Sequence, residues 1–179
     1  MATIEVGARI PPHQLHAIDG TTTSVPDADR LVHLQFRRFA GCPICHLHLR
    51  SIVAHHDQIT AAGIVEVVVF HSSPDTLIAY QSDLPFAVIA DPQRKLYREF
   101  GVESSVASVA HPRAWLAGAR GAMSQRSLAA GLGRGEDHFG RPADFLIAPD
   151  SRVLAQKYGA HADDQWSVAE IVRLGAEFS

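Results

Sequence analysis

The chain has 179 residues, with 46% hydrophobic and 20% charged side chains, which suits one globular domain with a substantial core. A formal net charge of −3 argues against a nucleic-acid partner. Apolar runs stay far below the roughly 20 residues of a membrane span, and the N-terminus lacks the basic start and apolar run of a signal peptide. We therefore expect a cytoplasmic protein that binds neither nucleic acid nor membrane.

Strands and helices alternate in the first hundred residues. The apolar positions of residues 31–36 predict a strand, and the β-branched run at 64–70 is typical of a central parallel strand. Between them, apolar residues at three-and-four spacing predict a helix from Pro43 to about Ala62. A helix capped by Ser73, a strand at 86–90 and a short helix capped by Asp91 follow. This order favours parallel strands.

The second half of the chain begins with a different composition. Residues 103–140 are rich in glycine, alanine, serine and arginine, and we interpret them as an insertion. A β-hairpin around residues 149–151 and a final helix over about 163–178 complete the chain. The pattern predicts an α/β thioredoxin-like fold, with a central mixed β-sheet flanked by helices and an insertion before the C-terminal β-hairpin. We expect one domain over residues 1–179.

Both cysteines lie where the first strand meets the first helix, as C-x-x-C. Three positions apart on a helix, their Cα atoms lie about 5 Å apart, within the range of a disulfide. Cys42 falls at the helix N-terminus before Pro43, where open N–H groups and the helix dipole favour a thiolate. Arg37 and Arg38 add positive charge if they point into the loop. Cys45 heads the apolar stripe, so we expect it to be shielded and Cys42 exposed.

Two other interpretations of the cysteines remain open. A structural zinc site needs about four ligands, and neither a second C-x-x-C nor an H-x-x-x-H is present. His46 and His48 do not share a helix face, so they are better explained as a solvated face and a helix flank. The cysteines could also be accidental core residues. We predict neither a metal nor another cofactor.

Three stretches resemble the peroxiredoxin-like (AhpC/TSA, peroxiredoxin-like 2 type) branch of the thioredoxin superfamily. "RRFAGCPIC" (37–45) is similar to its Arg-Arg-x-x-Gly-Cys-x-x-Cys signature. "LPFAVIADPQRKLYREFGV" (84–102) and "RPADFLIAPDSRVL" (141–154) resemble a peroxiredoxin strand-helix segment and a thioredoxin-like hairpin. The resemblance implies that Pro142 is a cis-proline facing the dithiol.

The sequence departs from this resemblance at several positions. A true peroxiredoxin carries P-x-x-x-T/S-x-x-C, and here the threonine position is Cys42 and the proline position is Arg38. The arginine that holds a peroxiredoxin thiolate would fall near Ala143, so Arg141 or Arg38 would have to replace it. The buried acid that many thioredoxins place six residues before the first cysteine is Phe36 here.

The resemblance implies a thiol-dependent oxidoreductase that reduces peroxides or disulfides and is reset by a thioredoxin- or glutathione-type electron donor. The candidate catalytic residues are Cys42, Cys45, Arg38, Pro142 and Arg141. Helix-cap exposure favours Cys42 as the attacking thiol, whereas the peroxiredoxin alignment favours Cys45. The alternative is a non-catalytic redox-sensing or partner-binding domain. The oligomeric state is left open, with a homodimer as one candidate.

Overall fold

The computed structural model describes residues 3–102 and 141–178, so the predicted insertion at 103–140 lies outside the described residues. Five helices and seven strands are found in this part of the chain. In chain order they are β1 (His13–His16), β2 (Thr22–Val25), β3 (Leu31–Phe36), α1 (Pro43–Ala54), α2 (His56–Ala61), β4 (Ile64–Phe70), α3 (Pro74–Gln81), β5 (Ala87–Ala90), α4 (Lys95–Glu99), β6 (Ala143–Ile147), β7 (Val153–Tyr158) and α5 (Val168–Phe178).

Five of the strands form one mixed sheet in the order β5-β4-β3-β6-β7. Strand β3 is central; it runs parallel to β4 and antiparallel to β6, with Phe36 opposite both Val69 and Ala143. Strand β5 is parallel to β4, and β7 is antiparallel to β6. The predicted central mixed sheet flanked by helices is confirmed.

Helices cover both faces of this sheet. On one face, α1, α2 and α5 pack through Ile52, Ile59 and Leu174 against the strands. On the other face, Tyr97 of α4 and Phe100 join the apolar side chains of β3. Burying one apolar side chain of this size contributes about 1.5–3 kcal/mol to the stability of the fold. Together the two layers hold the end of β3 in place, and the dithiol loop begins at that end.

Local sequence signals explain where several helices begin. Cys42 is the N-cap of α1, and Pro43 takes the first helical position, where no N–H is needed. The hydroxyl of Ser73 accepts the N–H of Thr76 at the start of α3. The Asp91 carboxylate accepts backbone N–H groups at the start of α4. The starts of α1 and α3 agree with the sequence predictions. The prediction of Asp91 as the cap of α4 is wrong in position, because the N-cap residue is Arg94, although the Asp91 carboxylate reaches the N–H groups of the first turn.

Other features differ from the sequence predictions. The final helix, predicted from about residue 163, begins at Val168. The helix predicted to run to about Ala62 is interrupted at His55, whose backbone leaves the helical region at φ −121° and ψ 18°. The β1–β2 hairpin was not predicted, because its strands are four residues long and mostly polar. No helix in the described ranges has both the length and the apolar character needed to cross a membrane.

Candidate dithiol site

The loop between β3 and α1 is held by hydrogen bonds from neighbouring elements. The N–H of Arg37 donates to the carbonyl of Val69 at 2.9 Å, which continues the pairing of β3 with β4. The next part of the loop is clamped at Ala40, whose N–H donates to Ser72 Oγ at 2.8 Å and whose carbonyl accepts from Gln81 Nε2 at 2.7 Å. Because all these groups are buried, their pairing fixes the loop that carries the cysteines.

The two thiols lie side by side at the N-terminus of α1. Cys42 Sγ accepts the N–H of Cys45 at 3.3 Å, as an N-cap side chain does. The two Sγ atoms are 2.7 Å apart and both cysteines are free, so a disulfide between them needs little movement. Arg38 Nη1 lies 3.8 Å from Cys42 Sγ, which places a guanidinium charge next to the pair.

The two thiols titrate as a pair. Burial raises the pKa of the Cys42 thiol well above its usual range, and Cys45 adds to the rise while Arg38 opposes it. Burial also works against ionisation of Cys45, but the hydrogen bond with Cys42 and the charges of Arg38 and Arg37 outweigh it and lower the pKa of Cys45 to about 7. The N–H of Cys45 and the guanidinium of Arg38 contact Cys42 Sγ, and both contacts stabilise the negative charge that the pair carries after losing one proton. The pair therefore loses one proton near neutral pH and holds the second firmly.

Both sulfurs are buried, which differs from the expectation of an exposed Cys42. Cys42 is 0% exposed and Cys45 is 1% exposed, and they share an apolar cluster with Phe39, Ile44 and Ala162. The expectation of an exposed Cys42 was wrong, and one contributor to its apolar surroundings is Ala162, from the segment after β7. Sequence periodicity within α1 carries no information about this distant segment.

Pro142 and Arg141 lie beside this loop, just before β6. In the described ranges the cis peptide bond is Val25–Pro26, and the Arg141–Pro142 bond is trans, so the expectation of a cis-proline at Pro142 is wrong. The trans form is the lower-energy isomer of an X-Pro bond, and the carbonyl of Pro142 accepts the N–H of Gly159 as a continuation of the β6–β7 pairing. The Nε atom of Arg141 is buried without a hydrogen-bond partner, and Arg38 is the candidate arginine that contacts a thiol.

A network of buried polar side chains beneath α1 was not predicted from the sequence. His33 bridges two carboxylates, with Nδ1 2.8 Å from Glu66 Oε2 and Nε2 3.1 Å from Asp144 Oδ1. Arg37 Nη2 donates to the same Asp144 oxygen at 2.7 Å and to Gln35 Oε1 at 2.8 Å. Gln35 Nε2 donates in turn to Glu66, which closes the network.

The charges in this network compensate one another. Burial alone would lower the pKa of His33, but the Glu66 and Asp144 carboxylates raise it to about 9, so both ring nitrogens donate at neutral pH. Burial opposes ionisation of Asp144, but Arg37 and His33 hold its pKa well below the usual range. Burial and then Arg37 lower the pKa of His48 well below its usual range, so its neutral Nε2 accepts from Arg37 at 3.0 Å.

This network corrects the interpretation of His48 as a helix flank only, because His48 Nε2 accepts a hydrogen bond from the buried Arg37. The sequence signal for this network was the pair of polar residues His33 and Gln35 inside an otherwise apolar strand. Their alternation resembled a half-exposed strand, yet every residue of β3 is buried. In the described ranges, no group of three or more His, Cys, Asp or Glu side chains is arranged to hold a metal ion.

A buried C-x-x-C at a strand-to-helix corner of a mixed sheet places the chain among thioredoxin-like proteins. The family model of the AhpC/TSA antioxidant enzymes matches residues 51–161, more than half of the sequence. The chain therefore belongs to the AhpC/TSA antioxidant enzyme family. The matched range begins after both cysteines, so the family match does not itself assign their role.

Solved structures give the same fold. Peroxidoxin BcpB from Mycobacterium tuberculosis has a TM-score of 0.68 at 13% identity, covering 98% of this chain and 99% of that chain. Mycobacterium bovis AhpC has a TM-score of 0.67 at 14% identity, covering 98% and 92%. A putative thiol:disulfide interchange protein, DsbE from Chlorobium tepidum, has a TM-score of 0.62 at 18% identity, covering 97% and 99%. The comparison with curated proteins finds no match. At these identities the likeness shows the fold alone.

Proposed function

We propose that the protein is a thiol-dependent oxidoreductase that reduces peroxides, with Cys42 and Cys45 as its redox-active pair. The observation that carries the proposal is the adjacency of the two sulfurs at a helix N-terminus, 2.7 Å from each other and 3.8 Å from the Arg38 guanidinium. One sulfur of such a pair can attack while the other closes the disulfide.

The reaction uses two electrons from the dithiol. A thiolate attacks one peroxide oxygen, the O–O bond breaks, and a sulfenic acid forms while the departing hydroxide or alkoxide takes a proton. The second thiol then attacks the sulfenic sulfur and releases water, which leaves a Cys42–Cys45 disulfide. We assign the first attack to Cys45, the position that aligns with the attacking cysteine of peroxiredoxins, and the lowering of its pKa by Arg38 and Arg37 supports this assignment. A thioredoxin- or glutathione-type dithiol or thiol returns the pair to the reduced state.

Burial of the dithiol favours a small substrate. A peroxide can reach the sulfurs with small movements of the apolar cluster of Phe39, Ile44 and Ala162, whereas a disulfide on another protein requires a wider opening. The cationic Arg38 beside the sulfurs also stabilises the negative charge that develops on the leaving oxygen. Arg141 and Pro142 remain predicted members of the site, at its β6 side.

Mass spectrometry after brief peroxide treatment tests the proposal. The wild-type protein should lose two hydrogens reversibly, with the link between Cys42 and Cys45. Cys42→Ser should instead accumulate a sulfenic acid on Cys45 that a dimedone probe traps, and Cys45→Ser should react much more slowly. Trapping on Cys42 in the Cys45→Ser variant would reverse the order of attack. Free thiols and unconsumed peroxide in the wild type would reject the redox function.

The burial of both sulfurs also favours a second candidate, a redox sensor that is oxidised once and does not turn over. A steady-state assay with peroxide and a thioredoxin–thioredoxin reductase system separates the two. Continuous consumption of reductant indicates an enzyme, and a single stoichiometric oxidation indicates a sensor. The assignments of one domain, of a cytoplasmic location and of a monomer or homodimer stay predictions, and size measurement in solution decides the last.

A further inference from the structure

The buried polar network crosses the α1-facing side of the sheet next to the dithiol, and it has no role in the proposed reaction. It joins three neighbouring strands: Glu66 on β4, His33 on β3 and Asp144 on β6, followed by Arg37 just beyond β3. The atoms in contact are 2.8 Å apart between Glu66 and His33, 3.1 Å between His33 and Asp144, and 2.7 Å between Asp144 and Arg37. All four side chains are 0% exposed, so water does not screen their charges.

Arg37 is the member of this network that lies in the dithiol loop itself, next to Arg38, and its charge helps to lower the pKa of Cys45. Its Nη2 atom contacts His48 Nε2 at 3.0 Å, and His48 lies three residues after Cys45, on the same side of α1. Its backbone is held from the opposite side of the sheet, because the Tyr97 hydroxyl donates to the Arg37 carbonyl. The guanidinium is therefore fixed beneath the first turns of the helix that carries both cysteines.

We propose that the buried Arg37–Asp144 ion pair is a positioning device for the dithiol, in which Arg37 stabilises the negative charge of the pair of thiols and Asp144 limits that effect. His33 and Glu66 hold the ion pair in place, because His33 bonds the same Asp144 oxygen that Arg37 contacts. The purpose of this device depends on the proposed redox function, but its effect on the thiols can be measured without any turnover.

The signs of the two charges give opposite expectations. Removing the Arg37 charge leaves Asp144 to repel a thiolate, so the dithiol should lose its first proton less readily. Removing the Asp144 charge leaves Arg37 uncompensated, so the first proton should leave more readily. In the described part of the chain, Arg38 of the same loop and Tyr97 of α4 also interact with the pair, and neither is changed by these substitutions.

The test compares Arg37→Gln, Asp144→Asn and the double variant with the wild type, all as the full chain. Thiol pKa values are measured from the pH dependence of iodoacetamide alkylation, resolved by peptide. We expect the lower thiol pKa to rise by about one unit in Arg37→Gln, to fall by about one unit in Asp144→Asn, and to return towards wild type in the double variant. The exposed pair Asp150 and Arg152, in the β6–β7 hairpin, gives matched controls: Asp150→Asn and Arg152→Gln should leave the thiols unchanged.

A general loss of packing would shift both variants in the same direction, so shifts of one sign, or no shifts, would overturn the proposal. If Asp144→Asn shows no cooperative melting transition, Arg37→Gln is compared with Arg37→Lys instead. Lysine keeps the charge, so a wild-type pKa in Arg37→Lys supports the proposal and a rise equal to that in Arg37→Gln overturns it. Peroxide turnover is measured separately. A wild type that consumes no peroxide rejects the redox function, while the thiol pKa values still decide this inference.

Discussion

Replacing Arg38 by methionine tests how much the neighbouring guanidinium contributes to thiolate formation. Arg38 Nη1 lies 3.8 Å from Cys42 Sγ, and the side chain is 5% exposed. At this distance, two unit charges interact by about 1 kcal/mol in bulk water and by about 4 kcal/mol at the effective dielectric constant of a protein surface. Loss of this interaction should lower the thiolate fraction of the pair, at pH values below its first pKa, by about 5-fold to 900-fold. Methionine keeps most of the apolar stem of arginine, so the change is mainly one of charge.

The assay is the rate of iodoacetamide alkylation at pH 6, because the thiolate is the reacting species. The backbone of Arg38 also donates a hydrogen bond to Cys45, and this bond survives the substitution, so the assay isolates the side-chain charge. Arg38→Lys should retain most of the wild-type rate. Arg30→Met is the matched control, because Arg30 precedes the other end of β3 and pairs with Asp27. An Arg38→Met variant that folds and alkylates at the wild-type rate would refute this reasoning.

Three further substitutions test the scaffold of the site. Ser72→Ala should lower the free energy of unfolding by about 1–3 kcal/mol in urea titration, because it leaves the buried N–H of Ala40 without an acceptor; an unchanged midpoint would contradict this. Gly159→Ala should destabilise by about 1–3 kcal/mol in the same titration, because a Cβ there would lie 2.5 Å from the backbone oxygen of Asp164 and 2.8 Å from Pro142 Cγ; an undiminished stability would contradict this steric argument. The pKa of His33 is raised in the folded state, so its ion pairs stabilise fully below about pH 6.5 and are lost as pH rises through about 9. Stability should therefore decline across that window in the wild type and decline less in His33→Gln.

The features that the sequence predicts correctly are those with a local physical cause. The β-branched run of β4 favours a strand buried on both faces, and the structure has that strand at Ile64–Phe70. The Ser73 and Pro74 pair predicts the start of α3 because a side-chain cap and a fixed φ act within one turn. The β1–β2 hairpin could have been found from its Asp19–Gly20 turn, since Gly20 has φ +85° and Asp19 accepts the N–H of Thr21.

The features that the sequence did not predict depend on contacts between distant segments. Nothing near Cys42 in the sequence indicates that it packs in one apolar cluster with Ala162, about 120 residues later. The trans bond at Pro142 follows the ordinary preference of X-Pro bonds, and the expectation of a cis bond came from the resemblance alone. The placement of the dithiol at the N-terminus of α1 was predictable, since the spacing of the cysteines and Pro43 determine it within a single turn of helix.

The polar residues of β3 show most clearly why a strand pattern can mislead. Side chains alternate across a strand, so Phe36 faces the aromatic rings of Tyr97 and Phe145, while His33 and Arg37 face α1. A carboxylate at position 36 would therefore lie among aromatic rings, on the side of the sheet away from Arg37. The acids instead come from the two strands beside β3, as Glu66 and Asp144. Because the histidine between them carries a charge of its own, the four groups are balanced overall, and a change in any one charge should be felt at the dithiol through Arg37.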